Sequence, residues 1–385
     1  MRRTISIVVA GVLTVGVVFT VLVSERGTKH LRVVHGITSA ENGSFFDDAR
    51  VKSAFAAHGL ALRVDTVMND QAVTTADLSK YDFAFLAETP AAAEIATARH
   101  STNTFVPFHS PMVVATFKDV AQRLTKAGIA LEQAGWWTLD TQRYFDLVRR
   151  RVRWNQLPGN ADSNDHTLVF ITSPGITTSE GAMYASLASS VANDGAVVGS
   201  RAQVDKIVNA VSPLFLVQGP AQSSTAPFTH YTETGGRAPP MVWTSEARFV
   251  GYSAAHHGTI PDSVLMYPIP GVVADYTLVP LTSTGSEAGR LLTVDPTLQR
   301  LAVENGFRTT QEPAALVAFA RQNGVEVPVT LPHAIPLPTY DNLQALVTRV
   351  DAALLAAIGP GPTTASTSQS VPSPAGTGLN RTGQP

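Results

Sequence analysis

The stretch "ITSPGITTSEGAMYASLASSVA", residues 171–192, joins the end of an apolar run to a helical pattern through a turn rich in Ser and Thr. An apolar strand, a polar turn and a helix make the unit from which open α/β sheets are built. Thr177 and Glu180 have the S/T-x-x-E spacing of a capping box, which predicts that Thr177 caps the helix. Three further hydroxyls remain as candidates for contacts with a ligand, and they belong to Ser173, Thr178 and Ser179.

The same arrangement of strand, polar turn and helix occurs twice more, at "ITSAENGSFF", residues 37–46, and at "FLAETPAAAE", residues 85–94. In open α/β sheets, ligands bind at the carboxyl ends of the strands, where helix N-termini favour anionic or hydrogen-bond-accepting groups. We therefore expect the three turns to face one ligand across a cleft. The acidic residues Glu41, Asp47 and Asp48 are interpreted as partners of a helix macrodipole and not as catalytic acids.

Length, composition and charge narrow the class of protein. The chain has 385 residues, of which 44% are apolar and 15% charged, and its formal charge is -2. This length is ample for two lobes, and so small a net charge argues against a nucleic-acid partner. The absence of cysteine excludes disulfides and thiolate catalysis. Apolar runs of strand length alternate with helical patterns, including a helix predicted over residues 45–59, and this alternation is typical of parallel βαβ units.

Both ends of the chain differ from the body between them. Arg2 and Arg3 precede an uncharged stretch, residues 4–24, that is long enough to cross a membrane as a helix. Residues 1–30 are interpreted as an uncleaved membrane anchor, and a cleaved secretion signal is the alternative. Because positive charge stays on the inner side of the membrane, the rest of the chain is placed outside it. Residues 359–385 are rich in Gly, Pro, Ser and Thr, which predicts a disordered tail.

Catalytic and metal-binding motifs are absent from the sequence. It contains no G-x-S-x-G nucleophile motif, no phosphate-binding glycine loop and no H-E-x-x-H metal motif. His256 and His257 are adjacent, so their side chains point in different directions, and they are interpreted as loop histidines. We therefore expect a protein that is not an enzyme and that holds no cofactor or metal.

Six stretches, in order along the chain, carry a resemblance to a known family. They are "LRVVHGITS" (31–39), "YDFAFLAETP" (81–90), "FHSPMVVAT" (108–116), "SPGITTSEGAMYASLA" (173–188), "PMVWTSEA" (240–247) and "YTLVPL" (276–281). With them the chain resembles the type 2 extracellular (periplasmic) solute-binding proteins of ABC importers, in the molybdate- and sulfate-binding branch and in related uncharacterised bacterial proteins.

The resemblance implies an α/β fold of two lobes joined by two hinge strands, near residues 110–116 and 275–281. It assigns residues 31–112 and 275–358 to lobe 1 and residues 113–274 to lobe 2. It also implies that a solute binds in the cleft between the lobes. The implied ligand-binding residues are Ser39, Ser44, Thr89, Ser110, Thr178, Ser179 and Trp243.

The solute implied is small and polar, either an oxyanion or a sugar-like molecule. Trp243 stands where the family often has Tyr, and it has no hydroxyl to offer an oxyanion. Aromatic side chains could instead stack on a sugar or another organic solute. The candidates for such stacking are Phe45, Phe46, Trp136 and Trp137, although each is more often a core residue than a cleft residue on general grounds of burial.

The function implied is capture of this solute outside the membrane for import through an ABC permease, by a monomer. An alternative is a membrane-anchored cell-envelope scaffold or sensor domain with the same fold and no transport role, which the anchor and the tail suggest. A hydrolase is a third possibility.

Overall fold

A computed structural model describes residues 31–101, 103–157, 175–218, 226–235, 240–258 and 260–358. The helices in this part of the chain are α1 (Gly43–Asp47), α2 (Ala49–Ala57), α3 (Asp70–Thr75), α4 (Thr89–Ala98), α5 (Lys118–Lys126), α6 (Thr141–Arg149), α7 (Ser179–Ala192), α8 (Arg201–Leu216), α9 (Ala226–Glu233), α10 (Glu246–Ala255), α11 (Ser283–Val294), α12 (Pro296–Glu304), α13 (Ala315–Gln322) and α14 (Tyr340–Ile358). The strands are β1 (Arg32–Ser39), β2 (Leu60–Val67), β3 (Phe83–Leu86), β4 (Phe105–Phe117), β5 (Ala130–Glu132), β6 (Trp137–Asp140), β7 (Met241–Ser245), β8 (Ser263–Ile269), β9 (Val273–Pro280) and β10 (Arg308–Thr309).

The strands form a mixed sheet in the order β2-β1-β3-β9-β4-β8-β6-β5, and β7 and β10 also pair with β4. Strand β1 is parallel to β2 and to β3, and β6 is parallel to β8. The pairs made by β4 and β9 are antiparallel. The expectation of parallel units is therefore wrong for the centre of the sheet, because β4 and β9 carry the chain in opposite directions between its two halves.

Strand β4 belongs to both halves of the sheet and forms one of the connections between two lobes. Its first part, residues 105–111, pairs with β9, and its last part, residues 112–117, pairs with β7 and β8. The chain returns from β8 to β9 through residues 270–272. The first lobe is therefore built on β1, β2, β3 and β9, and the second on β5 to β8.

The lobe boundaries predicted at residues 112 and 274 remain a prediction. Helix α13 follows the second boundary in sequence but packs with strands of the second lobe, since Leu316 lies in one buried cluster with Val113 and Leu265. Helix α14 also makes most of its contacts with α8. The last part of the chain thus lies against both lobes and not only against the first.

The helix predicted over residues 45–59 is two helices, α1 and α2. They are separated at Asp48, whose backbone ψ of 121° is not helical. The Asp48 carboxylate accepts the N–H of Arg50 at 2.8 Å and so caps α2. This side-chain contact starts a new helix, so the expected continuous helix is interrupted at Asp48.

Three of the four aromatic side chains considered for stacking on a ligand lie in the core, and the fourth, Trp136, is half-buried. Phe45, Phe46 and Trp137 are each 1% exposed. Trp136 packs edge-on against Tyr267, with the ring centroids 5.3 Å apart. The interpretation as core residues is confirmed for Phe45, Phe46 and Trp137, whose burial leaves no ring face for a ligand.

Among the described residues, none of the helices is both long enough and apolar enough to span a membrane. The predicted anchor, residues 1–30, and the predicted tail, residues 359–385, lie outside the described residues, as does Ser173. These three expectations remain predictions.

Candidate functional site

A cavity of about 100 Å³ lies between the lobes. The first polar turn contributes Glu41 and Ser44, the second contributes Ala87, and the third contributes Ser179 and Glu180. Arg248, in the first turn of α10, lines the cavity from the second lobe. The three turns that were expected to face one another across a cleft therefore meet at one cavity.

The first turn, which follows β1, is held by a chain of buried polar side chains. Asn42 donates through Nδ2 to Ser39 Oγ at 2.8 Å and, at 3.5 Å, to Asp70 Oδ1. Ser39 and Asp70 are both fully buried. This network directs Glu41 to the opposite side of the cleft, where its Oε1 accepts the backbone N–H of Ser179 at 3.3 Å.

The second turn, which follows β3, is fixed by the carboxyl group of Asp70. Its Oδ2 accepts the backbone N–H groups of Ala87 and Glu88, both at 2.8 Å. Asn69 caps α3 by accepting the N–H of Ala72, and its Nδ2 donates to the backbone oxygen of Thr177 at 2.7 Å. The second bond of Asn69 crosses from the first lobe to the third turn and helps to close the cleft.

The third turn begins α7, and the structure corrects the cap predicted for it. The N-cap is Thr178, whose Oγ1 accepts the N–H of Gly181 at 3.0 Å and donates to the backbone oxygen of Gly175 at 2.8 Å. Thr177 does not cap the helix. Glu180 does not complete a capping box, because its carboxylate is paired with Arg248 at 3.0 Å.

Burial raises the pKa of four carboxyl groups around the cavity, and repulsion from neighbouring carboxyl groups adds to this for Glu41 and Glu88. Burial, followed by the nearby charges of Glu180 and Asp70, raises the pKa of Glu41 to about 8. Burial also raises the pKa of Glu88 well above its ordinary value, with Asp70 and Glu41 adding to it. Burial also raises the pKa of Asp70, although its backbone hydrogen bonds lower it in part. Burial raises the pKa of Glu180 as well, and the nearby charge of Arg248 opposes this increase. The closed cleft therefore stabilises protonated carboxyl groups.

Three of the predicted ligand-binding residues, Ser39, Ser44 and Ser179, lie at the cavity or in the wall behind it. Ser44 is exposed at its rim, and Ser39 supports the first turn. Ser179 is 1% exposed, and its Oγ has no partner in hydrogen-bond geometry. Its side chain still lowers the pKa of Asp70 and of Glu88, so it lies close to both carboxyl groups.

The structure gives the other four predicted residues local roles. Thr89 is an exposed residue at the start of α4. Ser110 is fully buried in β4, and its Oγ accepts the N–H of Ala247 at 2.9 Å, which joins the crossing strand to α10. Thr178 is a helix cap, and Trp243 is a core residue whose Nε1 donates to the backbone oxygen of Glu180 at 3.0 Å.

The acidic character of the site was not predicted from the sequence. Each polar turn carries one of its carboxyl groups, which are Glu41, Glu88 and Glu180. That regularity was the available signal, but Glu41 was assigned to a helix dipole and Glu180 to a capping box. Asp70 lies in none of the three turns, and only the tertiary structure brings it to Ala87 and Glu88.

Comparison with known proteins gives structural neighbours only. No protein-family model matches the chain, and no curated protein matches it by sequence. Iron-bound HitA from Pseudomonas aeruginosa is similar in structure, with 10% identity over 83% of this chain and 99% of that one, and a TM-score of 0.54. The apo ferric ion-binding protein A of Pasteurella haemolytica has 11% identity over 84% of this chain and 96% of that one, with a TM-score of 0.50. The chain has the two-lobed fold of the type 2 periplasmic solute-binding proteins of ABC transporters.

Proposed function

We propose that the protein is an extracytoplasmic solute-binding protein that captures a small polar solute between its lobes and presents it to an ABC permease. The observation that carries this proposal is the cavity, which is lined by polar side chains from both lobes. A solute held there would contact both lobes at once, so its binding free energy would favour the closed arrangement. The function is binding and not catalysis.

The interlobe contacts supply a mechanism for closure. The bonds from Asn69 to the Thr177 backbone and from the Ser179 backbone to Glu41 connect the first lobe to the third turn. The crossing part of β4 and the return through residues 270–272 are the segments about which the lobes can rotate. Opening breaks these two bonds and hydrates the buried carboxyl groups, whereas a bound solute replaces the water and holds the lobes together.

The location follows from the same proposal. A protein that delivers a solute to an importer works on the outer side of the membrane, where residues 1–30 would anchor it or direct its secretion. We propose that it works as a monomer, as lobe closure requires no second copy.

A thermal-shift screen tests the function. The full chain, purified in mild detergent because of its apolar N-terminal segment, is heated with separate sets of amines, amino acids, polyols and oxyanions. A true solute raises the melting temperature of the wild-type protein. The double variant Ser39→Ala with Ser179→Ala is expected to lose this increase, while the exposed control Glu94→Gln keeps it. A screen without any stabilising solute would favour the scaffold or sensor instead.

A further inference from the structure

The charges around the interlobe cavity are unbalanced. Glu41 and Glu180 line the cavity, and Asp70 and Glu88 stand behind Ser179 in its wall. Among the described residues that line the cavity, Arg248 is the one cationic side chain, and it is already paired with Glu180 at 3.0 Å. Once these carboxyl groups ionise they attract a cation, whereas an anion would find no free positive partner among them.

A second observation concerns a buried hydroxyl. The Ser179 side chain is 1% exposed and lines the cavity, and its Oγ lies beside the carboxyl groups of Asp70 and Glu88 without a partner in full hydrogen-bond geometry. Leaving a buried hydroxyl unsatisfied costs free energy, so such a group at a cavity wall indicates that a ligand atom completes it. A hydroxyl beside carboxyl groups offers acceptor oxygens to a ligand that carries several N–H donors.

The remaining walls suit the organic part of a cation. Tyr276 and Phe307 both line the cavity, and their rings pack edge to face with centroids 4.8 Å apart. Met112 and Met183 line it as well. Aromatic faces attract cations through the ring quadrupole, and methionine adapts to an alkyl chain. A cavity of about 100 Å³ admits only a small molecule.

We propose that the solute is a small organic cation that carries a primary ammonium group. This inference rests on the proposed function and names the substrate class of the same site. The ammonium group donates to Ser179 Oγ and to a carboxyl oxygen of Glu41, which both line the cavity, while the carboxyl group of Glu88 stands behind Ser179. Its alkyl part lies against the rings and the methionines.

Proton release accompanies this binding. The titratable and charged groups that face the ammonium group are Glu41, Asp70, Glu88, Glu180, Arg248 and Tyr276. Burial holds the pKa of the four carboxyl groups above its ordinary range, and an ammonium group beside them lowers it again. The solute therefore displaces protons on binding, and its affinity rises as the pH rises towards about 8, where Glu41 ionises.

Isothermal titration calorimetry of the full chain tests the proposal with defined probes. The cationic set consists of butane-1,4-diamine and n-butylamine, the anionic set of sulfate and molybdate, and the neutral probe is ribitol. We expect binding in the cationic set alone, with an enthalpy that depends on the ionisation enthalpy of the buffer. Glu88→Gln, which keeps the shape of the protonated side chain, should weaken amine binding at least tenfold, about 1.4 kcal/mol. Ser179→Ala should weaken it too, and Glu94→Gln should leave it unchanged.

The outcomes separate this inference from the proposed function. Binding of sulfate, molybdate or ribitol without amine binding overturns the ammonium proposal and leaves the solute-binding function standing. Equal amine affinity in wild type, Glu88→Gln and Ser179→Ala overturns it as well, because the amine then binds elsewhere. Absence of binding in all sets, together with a thermal-shift screen that finds no solute, overturns both.

Discussion

The raised pKa of Glu41 makes the stability of the protein depend on pH in a specified direction. Its carboxyl group titrates at about 8 in the folded protein and at 4.5 ordinarily, so between these values the folded state binds more protons than the unfolded state. Stability linked to Glu41 is therefore complete below pH 4.5 and is lost as the pH rises towards 8. At about 1.4 kcal/mol per pH unit, the gap corresponds to an upper bound of roughly 5 kcal/mol.

The variant Glu41→Gln removes this titration and keeps the size of the side chain. Opening of the cleft hydrates the carboxyl group and relieves part of the cost, so we expect a measured effect between about 1 kcal/mol and the upper bound. The assay is urea unfolding followed by circular dichroism at pH 5, 6.5 and 8 for wild type, Glu41→Gln and the exposed control Glu94→Gln.

The quantity to compare is the free energy of unfolding of the wild type minus that of Glu41→Gln. We expect this difference to decrease steadily from pH 5 to pH 8, and the corresponding difference for Glu94→Gln to change little. A difference for Glu41→Gln that stays constant, or that grows with pH, would refute the reasoning, because it would mean that Glu41 is hydrated and ionised in the folded protein.

Four substitutions outside the cavity test the rest of the structure by the same urea assay. Arg308→Met should destabilise the protein by about 3–5 kcal/mol, because it leaves the buried carboxylate of Glu246 without its cation. Arg308 is 1% exposed and its Nε lies 2.7 Å from Glu246 Oε1. A loss of stability below about 1 kcal/mol would contradict this. Thr178→Ala should lower the free energy of unfolding by about 1 kcal/mol, because Thr178 caps α7, and Thr177→Ala should lower it much less. A larger effect of Thr177→Ala would show that Thr177 is the cap. Gly285→Ala should lower the free energy of unfolding by about 1–3 kcal/mol, because the added Cβ would stand 1.8 Å from the backbone oxygen of Asp82, next to β3. An unchanged stability would show that this contact is loose.

Apolar runs of strand length between helical patterns made part of the fold predictable. The runs at residues 31–38 and 60–67 form the strands β1 and β2. The direction of pairing was not predictable. Nothing local in β4 or β9 distinguishes a strand that returns between lobes from one that continues a βαβ unit, and the antiparallel centre depends on this tertiary route.

The site was predictable in place but not in chemistry. Three polar turns after strands indicated where the lobes meet, and the cavity lies there. The sequence alone favoured hydroxyl groups as the ligand-binding groups. The carboxylate of Glu180 was assigned to a capping box, because S/T-x-x-E spacing fits a capping box even where the Glu side chain takes no part in the cap. Glu180 pairs instead with Arg248, which lies 68 positions away, and the cap moves by one residue to Thr178. Long-range pairing of this kind leaves no mark in local sequence.

Native mass spectrometry of the freshly purified full chain tests the central claim most directly. If the protein captures a solute between its lobes, the wild type retains a small molecule whose mass adds to that of the chain and disappears on mild unfolding. The Glu88→Gln variant and the Ser39→Ala, Ser179→Ala double variant should then carry much less of it, while Glu94→Gln carries as much as the wild type. A wild-type protein that remains empty under all conditions, or equal retention in every variant, would contradict capture at the interlobe cavity.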